Sequence, residues 1–122
     1  MTFEEKIELA KRWGALLNGD LTGLGEALDK YGHSWKQRGG TGAFMMLARK
    51  FDRIELAAKE AGWDIFEAAR NHPGETGILD DIKDLRRYLL LVEDEIREEA
   101  NGERSNTPEL PFEGGLPTEA GA

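Results

Sequence analysis

The sequence predicts an all-α fold, and three observations carry that prediction. Apolar residues recur at steps of three and four through every long segment. No segment of useful length alternates with the period of two that a half-buried strand requires. Capping residues stand where the helical patterns begin. The 122 residues suffice for one domain with one core, and they contain no internal repeat.

A first helix begins at Thr2, where Thr2-x-x-Glu5 can close a capping box over the free backbone amides. Phe3, Ile7, Ala10 and Leu17 form its apolar stripe, widened by Leu9, Trp13 and Leu16. Asn18-Gly19 predicts its end, and Asp20 predicts the cap of a second short helix reaching about Tyr31, with Leu21, Leu24 and Leu28 inward. Gly23 and Gly25 oppose that helix by roughly 1 kcal/mol each relative to Ala. Residues 32–40 read as a loop. A third helix is predicted over 41–61, with Phe44, Leu47, Ala48, Phe51, Ile54 and Ala58 on one stripe and Glu55 within it. A short helix over 64–70 and the turn Asn71-His72-Pro73-Gly74 follow.

The last helix carries Ile78, Ile82, Leu85, Leu89, Val92 and Ile96 at alternating steps of four and three, which defines one buried face. Leu90 and Leu91 lie off that face and predict a second packing partner such as another subunit. After Ala100 come three of the four prolines, Gly114-Gly115 and few apolar residues. The prediction is one helical domain, 1–100, of about four to five helices, followed by a mobile acidic tail, 101–122.

Composition excludes several chemistries. No cysteine is present, which removes disulfides, thiolate zinc sites and a cysteine nucleophile, and two histidines cannot build a histidine-rich metal site. No apolar run approaches the ~20 residues of a membrane span, and the N-terminus lacks the basic-then-apolar plan of a signal peptide. A cytoplasmic protein without a membrane partner is expected. The net charge of −8 argues against nucleic acid, whose phosphates repel a negative surface. The charge is unevenly spread, however. Residues 30–53 hold Lys30, Lys36, Arg38, Arg49, Lys50 and Arg53 against Asp52 alone. A small phosphorylated ligand remains compatible with that segment.

The acids suggest a metal. Asp52-x-x-Glu55 on the third helix and Asp81-x-x-Asp84 on the last each place two carboxylates one turn apart. Four carboxylates from two packed helices can converge on Mg²⁺, which takes oxygen ligands and keeps waters that a phosphate replaces. The alternative for acids at a helix border is a solvated flank or an ion pair, and Glu55 within a stripe needs a metal or a cation such as Arg86 or Lys50. The basic segment suggests the ligand. Arg38-Gly39-Gly40-Thr41-Gly42 precedes a helix start, where free amides favour an anion, although it lacks the Lys-Ser/Thr of a P-loop. Lys36, Lys50 and Arg53 can meet phosphate oxygens. Tyr31, His33 and Trp35 can stack on a nucleobase, or instead plug the end of a bundle.

Three segments carry a family resemblance. Lys30-Tyr31-Gly32-His33-Ser34-Trp35, then Arg49-Lys50-Phe51-Asp52-Arg53-Ile54, then Asp80-Asp81-Ile82-Lys83-Asp84-Leu85-Arg86-Arg87-Tyr88 resemble the nucleotide-modification-associated domain family. That family looks like a branch of the all-α nucleoside triphosphate pyrophosphohydrolases related to MazG and the dimeric dUTPases. The wording is also similar to small proteins of tailed bacteriophages. The resemblance implies a MazG-like bundle, homo-oligomeric as a dimer or tetramer, working in the cytoplasm (the host's, if phage-encoded). It implies Mg²⁺ held by Asp52, Glu55, Asp81 and Asp84, catalysis centred on Glu55 and Asp84, and release of monophosphate and pyrophosphate from a nucleotide. Ligand contacts would come from Tyr31, His33, Trp35, Lys36, Arg38, Lys50 and Arg53. Arg49 stands where the family often carries an acid, and Asp81 replaces a glutamate of its second motif. These departures favour an alternative, a non-catalytic protein that sequesters or senses a nucleotide. A third reading is an interaction protein that docks a larger partner through Leu90 and Leu91.

Overall fold

The computed structural model of the chain describes residues 1–74 and 77–105. They form α1 (Phe3–Tyr31), a 3-10 turn (Ser34–Lys36), α2 (Gly39–Glu60), α3 (Ile65–Asn71) and α4 (Ile78–Ser105), and no strand occurs among them. The all-α prediction holds. No helix among the described residues is long and apolar enough to cross a membrane. The chain divides into two compact units, the first Met1–Val92 and the second beginning at Glu93. Within the second, Arg97 pairs with Glu93 at 2.8 Å and Ile96 is exposed. Helix α4 continues to Ser105, five residues into the segment read as the tail; the rest of that segment lies outside the described residues.

α1 starts as its sequence requires. The Thr2 hydroxyl accepts from the Glu5 amide at 3.0 Å, and the Glu5 carboxylate accepts from the Thr2 amide at 2.7 Å. It then runs unbroken for 29 residues, which corrects the expected stop at Asn18-Gly19. Asp20 caps nothing: it lies mid-helix and is buried, and its carboxylate is taken by two arginines of α4. That tertiary bond outweighs the glycine penalties that predict a break. Gly32, at φ +60°, ends the helix, with its amide donating to the Leu28 carbonyl at 2.8 Å.

α2 keeps Leu47, Ala48, Ile54 and Ala58 of the predicted stripe buried or half-buried and corrects its Phe44 and Phe51. Ala43 and Ile54 are buried, Leu47, Lys50, Ala57 and Ala61 are half-buried, and Phe44 and Phe51 are 63% and 53% exposed. The inward face therefore follows positions 43, 47, 50, 54, 57 and 61, one residue and about 100° from the stripe containing Phe44, Phe51 and Glu55. Its alanines let helices approach closely, and the larger phenylalanine stripe is left uncovered. The core joins Ile54, Ala68 and Ile78, flanked by Ala57, Ala61, Ala69, Ile82 and Leu85. Asp64 caps α3 by accepting from the amides of Phe66 and Glu67 at 2.9 and 3.1 Å. Before it, Gly62 and Trp63 both take positive φ, which turns the chain sharply between α2 and α3. Of the expected α4 stripe, Ile78 is buried and Ile82 and Leu85 are half-buried, but Leu89 is exposed.

Candidate functional site

Between the C-terminal half of α1, the 3-10 turn, the start of α2 and the middle of α4 lies a cleft of about 520 Å³. That volume suits a small organic ligand. Aromatic walls come from Tyr31, Trp35 and Tyr88, cations from Arg38 and Arg87, and an acid from Asp84. α4 contributes Asp84, Arg87, Tyr88 and Leu91, a second helical stripe beside the one that faces the core. Trp35 is half-buried, and its Nε1 hydrogen has no acceptor among the described residues.

Electrostatics behind the cleft are organised by Asp20. Its carboxylate accepts from Arg86 Nε at 2.6 Å and Nη2 at 2.8 Å, and from Arg87 Nε at 2.9 Å. The Arg86 hydrogen bonds hold the Asp20 carboxyl below its ordinary pKa of 3.8, against burial, which pushes it up; Arg87 adds to the lowering. The same pairing raises Arg86. Arg87 also donates from Nη2 to the Gly19 carbonyl at 2.9 Å, so its guanidinium is fixed at two points.

The acids expected to bind metal are distributed differently. Asp84 accepts from Lys50 Nζ at 3.0 Å and Asp81 from Arg53 Nε at 2.7 Å. The Asp81 bond raises the pKa of Arg53. Asp52 and Glu55 are exposed, which corrects the placement of Glu55 within the buried stripe. Lys50 and Arg86, the cations considered as partners for Glu55, bond to Asp84 and Asp20 instead. Among the described residues no three acidic or histidine side chains gather where one ion could touch them all. The physical reason is the rotation of α2, which turns Lys50 toward α4 and carries Glu55 away from it.

No protein-family model, curated protein or solved structure matches the chain. Of the residues read as ligand contacts, the fold brings Tyr31, Trp35 and Arg38 to the cleft, together with Asp84. His33, Lys36, Lys50 and Arg53 are not among its lining residues. Sequence reasoning missed Arg87 and Tyr88. Their spacing of three and four from Asp84 places them on its face of α4, and that signal could have found them.

Proposed function

We propose that the chain binds a small phosphorylated ligand of the nucleotide class in the cleft between α1, α2 and α4, holding it rather than hydrolysing it. The observation that carries this reading is the combination of three aromatic side chains and two guanidinium groups around one cleft of about 520 Å³. Aromatic faces suit a nucleobase, and guanidinium forks suit phosphate oxygens. Holding is favoured over Mg²⁺-dependent hydrolysis because Asp81 and Asp84 already bond to Arg53 and Lys50. The hydrolytic reading implied by the family resemblance requires both pairs to open, and its support is the position of Asp84 on the cleft wall.

Titration calorimetry against nucleoside mono-, di- and triphosphates, with Mg²⁺ and then with chelator, tests the proposal. Affinity that survives chelation, with no pyrophosphate released, supports holding. Pyrophosphate release that requires Mg²⁺ overturns it in favour of the hydrolase, and no heat with any nucleotide overturns both.

A homo-oligomer is part of the same reading. No large side chain among the described residues is completely buried, while Phe44, Phe51, Trp13, Leu17 and Leu21 are each more than half exposed. So much uncovered apolar surface supports burial against further copies of the chain.

A further inference from the structure

Two glycines of the cleft have an unusual relation to its two arginines. A Cβ on Gly23 of α1 would collide with the guanidinium of Arg87, Nη1 first. A Cβ on Gly42 of α2 would lie 2.8 Å from the Cβ of Arg38. Both glycines and both arginines line the same cleft. By contrast Gly14, Gly19 and Gly25, the other glycines within α1, have open space where a Cβ would stand. Helix propensity disfavours glycine at every one of these positions. Among the glycines of α1, only at Gly23 does the missing side chain make room for a functional group.

Arg87 is held there in a defined way. Its Nε hydrogen is committed to Asp20 and one Nη2 hydrogen to the Gly19 carbonyl. Among the described residues, the Nη1 hydrogens and the remaining Nη2 hydrogen have no bonded acceptor. The guanidinium packs against Gly23, and both residues line the cleft. Guanidinium donors arranged as a fork match two oxygens of one phosphate.

From this we infer an oxyanion subsite at Gly23 and Arg87, positioned from behind by Asp20 and opened by the absence of a side chain at Gly23, that takes the phosphate chain of the ligand. Arg38, seated over Gly42 and without an ion-pair partner among the described residues, supplies the second cation of the cleft. The inference rests on the nucleotide reading and adds which groups receive the phosphates. Asp20 and Gly23 act through Arg87 and are positioning residues.

Inorganic tripolyphosphate is the probe, titrated by calorimetry into the full chain and into Gly23→Ala, Gly25→Ala, Arg87→Gln and the Gly23→Ala/Arg87→Gln double variant. Gly23→Ala should weaken binding about tenfold or more, the scale of one charge-assisted hydrogen bond. Gly25→Ala makes the same change of helix propensity in the same helix and should bind as the parent does. In the Arg87→Gln background Gly23→Ala should have no further effect, a non-additivity that a general loss of structure would not produce. Far-UV circular dichroism checks that each variant is folded. Parent-like affinity in folded Gly23→Ala, or losses that simply add in the double variant, overturns the subsite while leaving the nucleotide reading in place. If the parent binds nucleotides but not tripolyphosphate, the subsite again fails alone. If it binds neither, both fail.

Discussion

Arg86 grips Asp20 with two hydrogen bonds, of 2.6 and 2.8 Å, and so ties the middle of α4 to the middle of α1. Arg87, next along α4, reaches the same carboxylate. One acid thus aligns two cations: Arg86 serves the packing of the helices and Arg87 serves the cleft. Asp20 is 3% exposed, but Arg86 and Arg87 side chains are 36% and 22% exposed, so the cluster lies near solvent and its energy is partly screened.

Asp20→Asn should therefore destabilise the fold by about 2 kcal/mol, below the full cost of breaking a deeply buried ion pair. Urea unfolding at neutral pH measures it; an unchanged midpoint would refute the structural role of the cluster.

The pH dependence of that contribution has a definite sign. The folded carboxyl is held below its ordinary pKa of 3.8, so the unfolded chain takes up a proton more readily. The stabilisation is complete above pH 3.8 and is lost as the pH falls from there through the lowered folded value. Melting curves at stepped acidic pH should show the difference between parent and Asp20→Asn shrinking across that window. A difference that stays constant contradicts the assignment.

Lys50 and Asp84 should be energetically coupled. Their side chains are 24% and 28% exposed, and the pair joins the inward face of α2 to the cleft wall. A double-mutant cycle with Lys50→Met and Asp84→Asn should return a coupling near 1 kcal/mol. Glu55→Gln, at an exposed position, should change stability by less than about 0.5 kcal/mol. A large Glu55→Gln effect would restore that residue to the site.

Trp35 offers a direct optical readout. Trp13 and Trp63 are 56% and 65% exposed, whereas Trp35 is half-buried on the cleft wall. In a Trp13→Phe/Trp63→Phe variant, a nucleotide entering the cleft should quench the remaining fluorescence in a saturable way. Saturable binding by calorimetry with no change in Trp35 emission would put the ligand elsewhere.

Oligomerisation is checked through the phenylalanine stripe of α2. Light scattering should give a mass of at least twice the 13.6 kDa chain, and Phe51→Lys should shift it toward the single chain. A single-chain mass for the parent at every concentration would remove the oligomer from the proposal.

Much was legible without coordinates, because it depends on neighbours in the chain. The Thr2–Glu5 capping box, the α2 start within two residues, the short helix near 64–70 and the absence of strands among the described residues all follow from local patterns. Tyr31, Trp35 and Arg38 were legible as cleft residues because they stand close together in one turn region.

The rest depended on distance. Two apolar stripes about 100° apart run along α2, and periodicity alone does not say which one the chain buries. Packing chose the alanine side, and that single rotation exposed Glu55 and paired Lys50 with Asp84. Likewise Gly19, Asp20 and Gly23 read locally as a helix break. Bonds from Arg86 and Arg87, 66 and 67 positions away from Asp20, make them the middle of one long helix and the back of the cleft. The sequence by itself determined the class of fold, the ends of most helices and three of the cleft's residues, Tyr31, Trp35 and Arg38. Tertiary structure decided which acids and cations neutralise one another and which line the cleft, because charge pairing follows proximity in space and not order along the chain.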